Sequence, residues 1–342
     1  MNLSERKKKI LSAVIDESIK NASPVSSKDV QEKYLKEVSP ATIRNELMAL
    51  EEMGFLFQPH TSAGRVPTAE GYKKYVEELM PIKKLSKTES DYIKENFNAK
   101  LYSMDDLLQN AAKIISDATN YASVVYYGIA DSAIVDRIIL MKLTNYQTLV
   151  VVVTNLGIIK EETKNIQASQ EELDKASNIL TNVFKGKPLI EIENGAELLN
   201  NEILRYKDIF DIIIEIITDR DSDHEKNIAV SGKDKLLNYP EYHDIDKLRK
   251  TITFLEQKDD LYPLLSNQGD LEISVKIGGE DDFGISDCSI VTATYKSNGT
   301  PIGSASVVGP VRMDYGKVVS ILKNVTEILE NNLFNKGDNE HE

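Results

Sequence analysis

The sequence predicts an α+β chain of several domains, with a winged helix-turn-helix at its N-terminus and a mixed α/β body behind it. Three observations predict this. Residues 38–68, VSPATIRNELMALEEMGFLFQPHTSAGRVPT, read as a helix, a glycine stop, a strand, a loop carrying one cation and a return strand. From Ser123 the apolar period changes from helical to alternating. Charge is also split. Residues 1–84 hold 14 Lys+Arg against 12 Asp+Glu, whereas residues 85–342 hold 27 against 43, out of totals of 41 and 55. A near-neutral head on an acidic body is the asymmetry expected when only one end meets phosphate.

The head is justified element by element. The first helix starts at Ser4 and buries Ile10, Leu11, Val14, Ile15 and Ile19, with the Arg6–Lys9 cluster in its first turn. Cations there oppose the helix dipole, so either a phosphate partner or simple solvation must compensate them. Ser26 opens a second helix, with Asp29 at capping-box spacing. Ser39 and Pro40 open the third, in which Ile43, Leu47 and Leu50 recur at i, i+4 and i+7 and form its buried face. Ala41, Thr42, Arg44, Asn45 and Met48 fall on the opposite side, small or polar residues suited to a DNA groove, and Gly54 stops the helix. The wing follows, Thr61, Ser62 and Gly64 shaping a loop that would carry Arg65 to a phosphate or the minor groove. Ser39 and Thr42, at the helix N-terminus, would touch phosphate. A winged helix that docks protein instead of DNA remains the alternative at this point. Thr68 caps a fourth helix that ends at Pro81, and Ile82–Thr88 reads as a linker into a helix starting at Thr88.

The body begins with a helix from Ser103. Strands follow at 123–127, 135–143, 148–155 and 158–166, the last three close enough in sequence to form an antiparallel meander. Its middle strand, TLVVVVTN, is apolar on both faces, so helices or a subunit interface must cover it. Helices are expected at 170–184, 195–206 and 209–217, the last ambiguous between helix and strand. A polar break at 219–226 precedes a strand at 227–232 and a helical stretch at 242–265. Strands at 271–279, 288–296 and 302–310, the last two a hairpin about the 296–299 turn, lead to a closing helix.

Signatures of catalysis are missing: there is no Walker loop, no G-x-S-x-G and no zinc-type histidine pair. The single cysteine, Cys288, and four scattered histidines form no thiolate or metal framework, so neither enzyme activity nor a cofactor is expected. The longest apolar run is too short for a bilayer, and the N-terminus lacks a signal region, so the expectation is a cytoplasmic chain without a membrane partner. The loop 277–284 reads as a tight turn or as an anion or metal site, its acidic residues weighing against phosphate. Gly309–Tyr315 reads as a pocket lining or as a helix start with an Arg312–Asp314 contact.

Several stretches together resemble one family. LSERKKKILSAVIDESI, SPATIRNELMALEEMGFLFQPHTSAGRVPTAEGYKKYVEEL, VSGKDKLLNYPEYHDIDKLR, IGGEDD and SVVGPVRMDY are similar to the HrcA heat-inducible transcription repressors, almost end to end. The family's IG-x-E-N loop has Asp281 here in place of asparagine. The resemblance implies a winged-helix DNA-binding domain at 1–85 and a discontinuous GAF-like domain at 86–130 and 226–336. It further implies a dimerisation domain inserted at 131–225. By the same resemblance the protein would repress chaperone operons as a homodimer on an inverted-repeat operator (the CIRCE element), with GroEL promoting the active form. Heat would act through the dimer interface or the head–body hinge near Pro81–Lys84. The rival expectation is a small-molecule-sensing regulator with a ligand pocket in the GAF-like domain.

Overall fold

The computed structural model describes residues 3–60, 63–97, 104–128, 134–154, 157–189, 192, 206–218, 228–266, 272–278, 288–297 and 300–334. The expected helix at 195–206 (Tyr206 apart), the polar break 219–226, loop residues 279–284 and Asn298–Gly299 lie outside them. The chain divides into two compact units. One comprises Met1–Tyr126, Ile228–Thr294 and Ser304–Glu327; the other comprises Tyr127–Asn227, Tyr295–Gly303 and Ile328–Glu342.

The first unit opens with α1 (Glu5–Lys20), α2 (Ser27–Lys33) and α3 (Pro40–Glu52), followed by the two-stranded wing of β1 (Leu56–Phe57) and β2 (Val66–Pro67). The strands pair antiparallel, Leu56 with Pro67 and Phe57 with Val66. Next comes α4 (Ala69–Lys74), which continues as a π-helical turn to Leu79. The expected caps are in place: Ser4, Ser39 and Thr68 accept from the backbone N–H three residues on, and Ser26 and Asp29 close a reciprocal capping box. Ile10, Leu11, Val14, Ile15, Val30, Ile43 and Leu50 are fully buried and make the core on which α3 rests. Ile19, expected in that core, is only half-buried.

A buried carboxylate joins α1 to α2. Glu17 meets Lys33 Nζ at 2.5 Å and accepts from Tyr34 Oη and Asn21 Nδ2. The hydrogen bond from Lys33 is the main cause holding this carboxyl below its ordinary value of 4.5, burial opposing it.

The body of this unit holds α5 (Lys87–Phe97), α6 (Met104–Thr119) and a five-stranded sheet. Its strands are β3 (Ala122–Tyr127), β7 (Ile228–Ser231), β8 (Ile273–Ile277), β9 (Cys288–Ser297) and β10 (Thr300–Pro310), in the order β7-β3-β10-β9-β8. Helices α9 (Ile245–Glu256) and α10 (Lys258–Ser266) and the closing α11 (Tyr315–Phe334) complete it. On one sheet face Val124, Ile290, Val308 and the Cys288 thiol pack with Phe254, Leu255, Leu261 and Tyr242. On the other, Ser123 Oγ donates to Ala112 O of α6, and Tyr315 Oη of α11 donates to Ser289 Oγ, so helices cover both sides. Two expectations need correction. Helix α5 is capped by Ser86, not Thr88, because Glu89 accepts from the Ser86 N–H and hydroxyl while Ser86 Oγ accepts from Glu89 N–H. The stretch 242–265 is two helices, broken at Gln257.

The second unit holds an antiparallel meander of β4 (Val135–Lys142), β5 (Thr148–Thr154) and β6 (Gly157–Lys164), with α7 (Gln170–Phe184) and α8 (Lys207–Thr218). The ambiguous 209–217 stretch is thus helical, and its length decides for helix where periodicity did not. Ile138, Leu140, Val150 and Val152 face α7 and α8 in one core with Leu173, Leu180, Phe184, Phe210 and Ile213. The opposite face carries Ile139, Met141, Leu149, Val151 and Val153, with Met141 half exposed.

Replacing Glu17 with Gln is expected to lower the melting temperature at neutral pH. A depressed carboxyl contributes stability above its unfolded pKa and loses it as pH falls through the folded value. The gap between variant and parent should therefore close below pH 4.5; a gap that persists there would assign the effect to packing.

Candidate nucleic-acid interface

The helical pitch that buries Ile43, Leu47 and Leu50 turns the opposite side of α3 to solvent. Ala41, Arg44, Asn45 and Met48, at i, i+3, i+4 and i+7, are all exposed, Met48 by 46%. The side chains of Arg44 and Asn45 form no hydrogen bond or ion pair with another described residue, so their donors are available. These are the two residue types that read guanine and adenine by paired hydrogen bonds in the major groove. Ser39 and Thr42 sit at the same end but are partly committed. Ser39 Oγ accepts from Thr42 N at 3.2 Å and lies 2.9 Å from Thr42 Oγ1, and Thr42 is half-buried.

The wing departs from expectation. Thr61 and Ser62 lie outside the described residues. Gly64 does not open a loop for its neighbour: a Cβ there would lie 2.3 Å from the Val25 carbonyl oxygen, so glycine permits β2 to meet the α1–α2 loop. Val25 and Arg65 exchange both backbone hydrogen bonds across that contact, at 2.8 and 2.9 Å. The Arg65 side chain is consequently not a cation at the wing tip. It is 14% exposed, and its Nη2 lies 2.8 Å from Glu51 Oε2 in the last turn of α3. Its buried Nε has no hydrogen-bond partner among the described residues.

Sequence reasoning missed these acidic partners. Glu46, on α3, pairs with Lys7 at 2.8 Å and Arg6 at 3.7 Å, so the basic first turn of α1 is neutralised within the head. Neither phosphate nor solvent alone compensates it. No spacing rule shows this, because the partners meet only when α1 and α3 cross. The linker is likewise tied. Lys83 pairs with Asp314 at 2.6 Å, and the Ser320 hydroxyl donates to the Lys83 carbonyl. Arg312 binds Glu241 rather than Asp314, whose other oxygen accepts from Lys317 N and caps α11. Among the described residues no group of His, Cys, Asp and Glu could hold a metal, and no helix is long and apolar enough to cross a membrane.

Comparison with known proteins matches residues 2–79 to the family described as the winged helix-turn-helix transcription repressor, HrcA DNA-binding. Residues 105–319 match the HrcA protein C terminal domain. The heat-inducible transcription repressor HrcA of Pelotomaculum thermopropionicum is 37% identical over 342 residues, covering 96% of this chain and 98% of that one. Its namesake in Bacillus pumilus is 34% identical over 346 residues, covering 98% and 99%. A solved structure described as a hypothetical protein superposes with a TM-score of 0.65 at 22% identity, covering 98% and 99% of the two chains, a likeness of fold alone.

Replacing Glu51 with Gln is expected to free Arg65 and steepen the salt dependence of DNA binding by about one phosphate contact. A slope equal to the parent's would leave Arg65 as a brace between the wing and α3.

Proposed function

We propose that this protein, which belongs to the HrcA family of heat-inducible transcription repressors, represses chaperone genes as a homodimer on an inverted-repeat operator. In this reading GroEL maintains the active form, and the protein works in the cytoplasm. The single observation that carries the DNA mechanism is the exposed stripe Ala41, Arg44, Asn45 and Met48 on a helix whose other face is locked in the head core. Arg44 and Asn45 read base edges, Ala41 and Met48 make apolar contacts in the groove, and Ser39, Thr42, Thr61 and Ser62 line the backbone contacts, while Gly64 and Arg65 hold the wing against Val25 and Glu51. Residues 1–85 form the DNA-binding domain, 86–130 and 226–336 a GAF-like domain, and 131–225 an inserted dimerisation domain.

Two observations support the dimer. A head with 14 cations against 12 anions attracts one half-site weakly, so two heads must bind together. The meander sheet also leaves the Ile139–Met141–Leu149–Val153 face without a helix among the described residues, the kind of apolar surface that a second copy covers. The same face, exposed on heating when copies separate, offers a chaperonin an apolar surface to bind.

The deciding experiment is a salt-titrated binding assay on an inverted-repeat chaperone operator against scrambled DNA. Selective binding with a steep salt slope is expected. Silence that persists after GroEL is added would defeat the reading. In the same assay Arg44→Ala should cost about 1–3 kcal/mol and relax specificity at one base pair; unchanged affinity would remove Arg44 from the readout. Met141→Asp should yield monomers in sedimentation and weaken binding to the full operator roughly a hundredfold, sparing a single half-site. A variant that stays dimeric would place the interface elsewhere.

A further inference from the structure

The corner Gly309–Tyr315, between β10 and α11, touches the winged-helix head at several points, and one of its side chains dominates. We propose that Arg312 is a positioning residue for operator recognition, latching the C-terminal end of α1 to the α/β body so that α3 is presented in one fixed orientation. This rests on the dimeric reading above for its consequence on DNA, but not for the latch itself.

The guanidinium is held on three sides. Nη1 donates to the Ile19 carbonyl at 3.2 Å, in the last turn of α1, where backbone carbonyls have no partner within the helix and the dipole favours a cation. Its other edge is forked onto Glu241, Nε to Oε1 and Nη2 to Oε2. Such a paired bond fixes the plane of the group as well as its place. The Tyr239 ring lies 5.7 Å from its central carbon and itself stacks on Tyr121 with centroids 5.1 Å apart. Tyr239 Oη donates to the Asn120 carbonyl at 2.9 Å. Every group that aims Arg312 therefore belongs to the body, while what it grips belongs to the head.

Two further contacts flank that point. Tyr72 of α4 packs on Tyr315 with centroids 6.1 Å apart and donates to Ser18 Oγ, next to Ile19. Lys83 in the linker pairs with Asp314, but its side chain is 49% exposed, and such pairs contribute little. Arg312 is 14% exposed, so the charge-assisted joint is the buried one. None of these contacts covers Ala41, Arg44, Asn45 or Met48, so the latch orients the reading face and does not mask it. On an operator with two half-sites at fixed spacing, a head free to swivel loses the register of its second half-site.

The test uses the full chain as parent, R312M, R312K and E241Q, with spectroscopic labels on cysteines placed at Glu32 in the head and Glu256 in the body; the native Cys288 is buried. One narrow head–body distance is expected for the parent. It should broaden in R312M and E241Q and be only partly restored in R312K, which keeps the charge without the fork. Affinity for the operator should fall about tenfold in R312M. Discrimination against an operator lengthened by about five base pairs, roughly half a helical turn, should be lost. Single half-site binding should stay unchanged. An unchanged distance in both R312M and E241Q overturns the latch, as does an equal loss on the half-site. A parent that binds two half-sites no better than one would instead fall on the dimeric reading, and the distances would still decide the latch.

Discussion

The burial of Ile43, Leu47 and Leu50 against α1 is the constraint on which the reading face depends. A helix turns 100° per residue, so anchoring those three rows dictates where Ala41, Arg44, Asn45 and Met48 point. Any slip of α3 about its axis would bury Arg44 without a partner, at the full desolvation cost of a charge. The anchor is in turn only as firm as α1, which is stitched to α2 through Glu17 and Lys33 and to α3 through Glu46. The far end of that same helix supplies the carbonyl that Arg312 grips. Orientation of the reading face thus passes along one rigid element.

Electrostatics in the head follow a pattern that net charge conceals. Arg6 and Lys7 are satisfied by Glu46, Lys33 by Glu17 and Arg65 by Glu51. Cations so occupied attract phosphate only by exchanging one anion for another, which yields less free energy than an open charge and adds less to the salt dependence. Arg44, exposed on α3, is by contrast left without an ion pair among the described residues.

The two sheets solve the problem of apolar strands differently. The five-stranded sheet has α6 and α11 on one face and α9 and α10 on the other, so Val124, Val125 and Val291 are closed off entirely. The meander has α7 and α8 on a single face. Its middle strand is as apolar as any strand of the first sheet, yet its own Leu149 and the neighbouring Met141 of β4 remain partly in contact with solvent.

Local signals were legible without coordinates. The serine, threonine and aspartate caps, the glycine stop at Gly54 and the period of α3 are encoded within a few residues of where they act, and the winged helix and its exposed stripe followed from them. The strands of the meander were legible because β-branched alternation and short connections leave few ways to pair. Tertiary structure decided the rest, since ion pairs such as Glu51–Arg65 and Arg312–Glu241 join residues 14 and 71 positions apart. Spacing along the chain carries no information about partners that meet only after packing. That is why Arg65 read as a wing tip and Arg312 as a helix-start contact, whereas folding places one beneath the wing and the other against the end of α1.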